Sequence, residues 1–459
     1  MQPLSGKFYS SFTTKWTFLL FFFVFEVGSL ICGAAISSNM FIAGQCVAGL
    51  GASGLFNGAV TIIAASVPLE KRPMYQGIML GLGEMGIVMG PLIGGALTQY
   101  VTWRWCFYIN LPIGGVVAAA LIFIKIPDIT AKPTLSVKVV RELIPELDLL
   151  GFALFAPAAV MFLLALQLGG AGSYKWGSSV VIGLFVGAGV TAILFVLWER
   201  RMGDSAMMPG RLLRQRIVTC SFLHFGLLMS TVSVASYYLP TYFQAIRGEG
   251  ATMSGVDMLP SILSQLLFIA LAGGLVKSVG YYLPFAVLSG LLNSVGNGLL
   301  STLSTSTSTG RWIGYQIITG AGRGTGLQMG MVAVQNAVTD EQTPVAMALL
   351  MFSQNFLGAT LLICATTLFD SSLKKEVAQH APSVSYASVL AAGADPSSLR
   401  SLVPGGGSEL AGLLLAYSNS IDKIFYLVTG LAGASFFVAF GLGWKDVRPK
   451  KGPDGESEA

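Results

Sequence analysis

The sequence predicts an all-α polytopic membrane protein, and three features carry that prediction. Hydrophobic residues make up 53% of the 459 and charged residues only 11%, against about 25% charged in soluble globular chains. Twelve apolar runs are long enough to cross a hydrocarbon core, which takes roughly 20 helical residues. Residues 42–73 and 313–344 lie in ungapped register at an offset of 271, each reading as a Gly-rich apolar helix that runs into a short acidic loop closed by proline. Backbone polar groups have no water partner in lipid, so these runs are expected to be helices. A porin-like barrel would show alternating segments of about ten residues, a pattern the chain lacks.

The first run, 16–35, follows Lys7 and Lys15 and imitates a signal peptide over Thr17–Phe25. Its apolar stretch continues past Glu26 to Ala35, so it reads as a retained span. Spans at 41–66, 76–98 and 105–126 complete a first block over residues 1–126. Residues 127–147 carry Lys132, Lys138, Arg141, Glu142 and Glu146 and suit a linker with a short surface helix. A pair of spans at 148–168 and 179–199 precedes a basic loop at 200–216. Six more, at 217–238, 255–276, 283–303, 312–337, 345–369 and 421–443, make a second block over 217–443, ahead of a tail at 444–459. The Ser/Thr run 304–309 is a short connection. Residues 370–420 are rich in Ser, Ala, Gly and Pro, with Gly405, Gly406 and Gly407 in a row, which predicts a loop of low order.

Lysine and arginine counts set the orientation. The N-terminus, every second loop and the C-terminus hold 18 of these residues, the opposite loops hold 8, and Arg323 lies inside a span. The basic side, with both termini, is therefore expected in the cytosol. The net charge of +5 follows from this rule and gives no argument for nucleic acid. All five cysteines fall within spans without metal-ligand spacing, so neither a disulfide framework nor a metal site is implied. No cofactor is expected.

The repeat pairs Ile42, Gln45, Gly49, Gly51, Val67, Glu70 and Pro73 with Ile313, Gln316, Gly320, Gly322, Val338, Glu341 and Pro344. Seven identities in 32 is a weak score for apolar segments, but the polar matches make chance a poor account. Parallel repeats about an axis along the membrane normal mark the two six-helix halves of major-facilitator transporters. There, equivalent helices lie six spans apart in a twelve-helix chain. Here the second span matches the tenth, eight later, so two extra helices separate the halves; 148–199 fills that place. The tenth span is then the fourth helix of its half, and so is the second. Only spans one to four remain for the first half. The chain reads as a fourteen-helix architecture lacking its first two helices.

The third span contains Gly86, Gly90, Pro91, Gly94 and Gly95, spaced as in the GxxxGPxxGG antiporter motif of drug:proton antiporters. The fourth opens on Trp103, Arg104 and Trp105, followed by Asn110 and Pro112. Together these segments resemble the fourteen-helix drug:proton antiporter-2 family of the major facilitator superfamily, especially its fungal toxin and multidrug efflux members. Residues 2–7 resemble the end of that family's second helix and its loop to the third. The resemblance covers essentially the whole chain and implies a major facilitator fold. Glycines four apart are expected to let helices approach closely and Pro91 to bend the helix. Any one GxxxG alone means only ordinary packing. The eleventh span, the counterpart, has Leu361, Leu362, Ala365 and Thr366 at the positions of Gly90, Pro91, Gly94 and Gly95. The family's fourth helix carries an arginine, associated with proton coupling, where this chain has Gln45. A neutral amide cannot hold a fixed charge there. The acidic motif of the family's first helix is absent with that helix, and the usual Asp after the second is not recognisable near Gly6 and Lys7.

Glu26, Glu84 and Arg323 sit within spans, where a charge is costly unless paired or wet. They are candidates for a cavity or for coupling, and equally for an internal structural pair. Asp257, near a span end, is expected to reach the interface. In the tenth span Gln316, Arg323 and Gly330 recur every seven residues and share one face, with Gln328 and Gln335 on another. Gln354 and Asn355 add polarity to the eleventh. These amides suit a substrate cavity or interhelical bonding. The glycines at 320, 322, 324 and 326 do not form a nucleotide loop: they lie mid-span, follow no strand and lack a Gly-Lys-Ser/Thr ending. His224 and His380 have no metal or catalytic company. Arg104 between two tryptophans offers a cation–π site or an interfacial anchor.

These features predict no enzyme. They predict a secondary transporter, by resemblance a proton-coupled efflux pump in the plasma membrane, carrying small amphipathic drugs, toxins or secondary metabolites and working as a monomer by alternating access. The 17 methionines suit poorly shaped hydrophobic cargo. Two other readings stand beside it: a truncated, transport-inactive membrane protein, and an uptake carrier for a nutrient or iron chelate.

Overall fold

The computed structural model describes residues 1–128, 132, 147–170 and 174–448. Every expected span is helical. The first half comprises α1 (Gln2–Ser11), α2 (Thr14–Gly33), α3 (Ser38–Ser66), α4 (Arg72–Tyr100), the one-turn α5 (Trp105–Tyr108) and α6 (Asn110–Phe123). A hairpin of α7 (Leu149–Gly170) and α8 (Ser179–Met202) follows. The second half comprises α9 (Arg216–Thr241), α10 (Leu259–Val279), α11 (Leu283–Leu300), α12 (Thr309–Gly326), α13 (Met329–Gln335), α14 (Thr343–His380), α15 (Tyr386–Ala392), α16 (Pro396–Ser401) and α17 (Gly407–Ala439). Among the described residues, ten helical stretches are long and apolar enough to cross a membrane. The expected spans outside that set are α4 and the α12–α13 pair, whose helix is interrupted at 327–328.

Local chemistry explains the boundaries. Ser37 caps α3 by accepting from the Met40 backbone N–H at 3.2 Å, and Ser178 caps α8 through Val181. The prolines that close the repeated acidic loops, Pro73 and Pro344, stand in the first turns of α4 and α14, where a missing N–H costs nothing. Gly280 ends α10 at φ 84°, a left-handed conformation that favours glycine. Asp148 takes φ 51° ahead of α7, and its carboxylate accepts from Gly151 N, Met207 N and the Trp198 indole N–H. That one buried side chain ties both ends of the α7–α8 hairpin to the connection that follows.

The repeated glycines do the same work in both halves. A Cβ on Gly51 would stand 2.3 Å from the Phe25 backbone nitrogen on α2, and one on Gly322 2.4 Å from that of Asn293 on α11. Each glycine thus seats its helix on the preceding one. The other side of the helix differs. Gly320 and Gly324 press on the α10 backbone, whereas Gly49 of α3 has nothing within 4 Å among the described residues.

Two expectations need correction. Residues 370–420 are ordered: α14 continues to His380, α15 and α16 follow, and α17 begins at Gly407. Val389, Leu399, Leu413 and Tyr417 are buried in one core with Tyr242, Phe243 and Trp312, which supplies the burial that the Ser/Gly-rich composition conceals. Ser385 and Asp395 cap the two short helices. Hydrogen bonds from Ser397 and Ser398 hold the Asp395 carboxyl down to about 2. Second, residues 2–7 belong to a helix that continues to Ser11 and packs its Gly6 against Ala348 of α14. The surface helix expected within 127–147 lies outside the described residues.

Candidate functional site

The site is defined by where the two halves touch and where they part. The connections at 66–72, 203–216 and 443–448 gather at one end, here the basic end, through such bonds as Lys7 Nζ to Ser205 O, Arg216 Nη2 to Phe440 O and Asn336 Nδ2 to Asp446 O. At that end the halves close. Gln76 on α4 donates to Gln335 on α13 at 3.0 Å, and Gln335 donates to the Met347 sulfur on α14 at 3.5 Å. A Cβ on Gly77 would fall 2.4 Å from Ile269, and one on Gly273 3.1 Å from the Met74 backbone. Val60 and Leu80 of the first half share a core with Leu228, Met331 and Leu350 of the second.

Toward the opposite end the halves part. On α14 every residue from Thr343 to Met351 is buried, and exposure begins at Phe352. On α12–α13 burial is continuous over 319–335 but broken before it. On α4 every described side chain from Leu82 to Tyr100 is exposed or half-buried. A cavity of about 690 Å³ lies between α3, α7 and α14, lined by Met1, Cys46, Gly49, Phe56, Phe155, Gln354 and Asn355 among others.

The expected site residues divide accordingly. Gln354 and Asn355 face the cavity; the Gln354 side-chain oxygen is buried without a hydrogen-bond partner among the described residues, and Asn355 donates to Met351 O. Gln45 is exposed beside Cys46. The amides of the tenth span are buried in helix contacts. Gln316 donates to Asp257 O at 2.8 Å, Gln328 to Ile269 O at 3.2 Å, and Gln335 closes the basic end. Arg323 is buried too, donating to Thr231 O beside the Asn293–Thr231 bond. Glu26 lies between α2 and α6, where a Cβ on Gly114 would stand 2.0 Å from its Oε1; its Oε2 is buried without a partner among the described residues. One turn on, Asn110 donates to Ser29 at 3.1 Å. The side chains of Glu84, Pro91 and Gly95 lie outside the described residues.

Among the described residues, the antiporter-motif glycines stand apart from neighbouring helices. A Cβ on Gly86 or Gly90 would meet nothing within 4 Å, and one on Gly94 would meet only the Cys106 sulfur at 3.9 Å. Among the described residues, Gly86, Gly90 and Gly94 hold no close helix contact, and this stretch of α4 lies on the parted side. Arg104 sits 4.6 Å from the Trp103 ring and donates to Ala35 O, stitching the α4–α5 turn to the end of α2. Trp103 packs edge-on to Phe41 and Phe107, and Pro112 lies in the first turn of α6. Trp105 packs against Tyr108. His224 is fully buried, with Nδ1 at 3.0 Å from the Ser435 hydroxyl. Sequence reasoning missed Gln76, although it lies three residues beyond Pro73, where the repeat sets it opposite Met347.

Comparison with known proteins agrees with this geometry. The family model described as Major Facilitator Superfamily matches residues 1–363. The MFS-type transporter calB of Penicillium decumbens is 57% identical over 98% of this chain and 80% of its own length. The efflux pump mlcE of Penicillium citrinum is 45% identical over 98% and 82%. Among solved structures, the human organic anion transporter MFSD10 superposes with a TM-score of 0.54 at 12% identity, over 94% of this chain and 80% of that one, a likeness of fold alone.

Proposed function

Since the chain belongs to the major facilitator superfamily and is a membrane transporter, we propose that it exports small amphipathic compounds, drugs, toxins or secondary metabolites, by proton-coupled alternating access. The observation that carries this reading is the asymmetry between the halves: sealed at the basic end through Gln76, Gln335 and Met347, parted at the other, with a cavity reached from α3 and α14. That is one of the two states alternating access requires. The relative described as an efflux pump supports the outward direction. The basic end is then cytosolic, the plasma membrane is the expected location, and the unit is a monomer.

On this reading α2–α6 answer to helices three to six of the fourteen-helix drug:proton antiporter-2 architecture, α7–α8 are its inserted pair, and α9–α17 supply its second half. Glu26 is the candidate proton carrier, because Gln45 cannot serve as a charged partner. It is the only Asp, Glu, Lys or Arg residue on α2 beyond Lys15, and α3, α5 and α6 carry none. Gln354 and Asn355 are the candidate cargo contacts. The exposed Gln45 favours a second reading, a carrier that moves its cargo without proton coupling. Expression in a pump-deficient fungal cell separates them. Dye efflux that collapses with a protonophore supports coupling, efflux that persists supports the second reading, and no efflux from a correctly inserted chain contradicts both.

A further inference from the structure

A second cavity, of about 290 Å³, lies at the far end of the second half, walled by α9, α14 and α17 and roofed by α15 with the turn that follows it. Four aromatic rings run along it. Tyr237 meets Tyr238 at 5.1 Å between centroids, Tyr238 meets Phe369 at 5.2 Å, and Phe369 meets Tyr417 at 6.1 Å. Among them stands the half-buried carboxyl of Asp370, for which no hydrogen bond or ion pair is found among the described residues. The cations next along α14, Lys374 and Lys375, are exposed and form no ion pair with it. Tyr238 is 1% exposed, and its hydroxyl lines the same space beside the Thr366 hydroxyl.

A carboxylate left uncompensated among ring faces is unfavourable unless a cation enters, because the rings attract positive charge through their quadrupoles while the carboxylate supplies the counter-charge. Inorganic cations are poorly served: there is one carboxylate, and the other side-chain oxygens are neutral Tyr and Thr hydroxyls, where calcium wants six to eight oxygens led by carboxylates and carbonyls. An alkylammonium or aromatic ammonium fits both features, and the volume lies at the lower edge of the roughly 300–1,000 Å³ typical of ligand pockets. We propose that this chamber binds a small organic cation, held by Asp370 and enclosed by Tyr237, Tyr238, Phe369 and Tyr417, at a site separate from the cavity between the halves. The proposal does not depend on the direction or coupling of transport.

The test titrates the full chain in lipid nanodiscs with benzyltrimethylammonium, followed calorimetrically. Binding is expected to weaken at least tenfold in Asp370→Asn, to stay within threefold in Asp370→Glu, and to be unchanged in Gln354→Ala. Neopentylbenzene, the neutral compound of the same shape, should not compete. Asp370→Glu retains the charge and so separates a lost counter-charge from a damaged fold. Equal affinity in Asp370→Asn, equal binding of the neutral compound, loss of binding in Gln354→Ala, or no binding by the folded wild type overturns the proposal.

Discussion

A Cβ at Gly28 would stand 2.2 Å from the Ala48 backbone nitrogen, and no rotamer change can relieve a clash with backbone. Gly28→Ala must therefore push α2 from α3 and should cost about 1–3 kcal/mol. Gly49→Ala, on the same α3 with open space around it, should cost nothing measurable. Thermal unfolding in detergent compares the two, and equal loss would contradict the packing described. Asp148→Ala strands the Trp198 and Met207 N–H groups together and should cost about 2–3 kcal/mol. Residues of this kind are only partly legible in the sequence. It displays glycines, but whether a glycine faces a backbone, as Gly51 does, or open space, as Gly86 does, depends on which helices tertiary packing brings beside it.

Helices are more legible than their ends. Apolar length locates every span, and the two loop prolines mark the starts of α4 and α14. The segment 370–420 hides its order, because its Ser, Gly and Ala residues conceal a few large ones, Leu399, Leu413 and Tyr417, that anchor it. Its caps, Ser385 and Asp395, are the signal that composition masks. With its carboxyl drawn down to about 2, Asp395 stabilises α16 fully above its ordinary value near 4 and loses that effect only as pH falls through about 2. Amide protection across 396–401, taken relative to the unstructured exchange rate at each pH, should accordingly be unchanged between pH 7 and 4, and Asp395→Ala should lower it at both. On α4, Gly86→Cys and Gly90→Cys in a cysteine-free background should react with a membrane-impermeant thiol reagent added from the side opposite the basic loops. Ala333→Cys, fully buried on α13, should not. Protection of both α4 positions would contradict a cleft parted at that end.

At the scale of the molecule, the internal repeat is the most informative part of the sequence. It predicts where the halves lie and that α7–α8 are additional to them, and Gly51 and Gly322 each stand against the backbone of the preceding helix. The contact between halves is not legible, because the residues that seal it come from segments up to 259 positions apart, as Gln76 and Gln335 do. Replacing both by alanine should weaken the seal and shift the population toward the alternative state. The most direct measurement places the purified chain in proteoliposomes, imposes a pH gradient and follows an amphipathic fluorescent cargo. Proton-coupled export predicts cargo movement opposite to the proton flow, abolished when the gradient is collapsed and lost in Glu26→Gln while cargo binding persists. Movement indifferent to the gradient, or unchanged in Glu26→Gln, would contradict it.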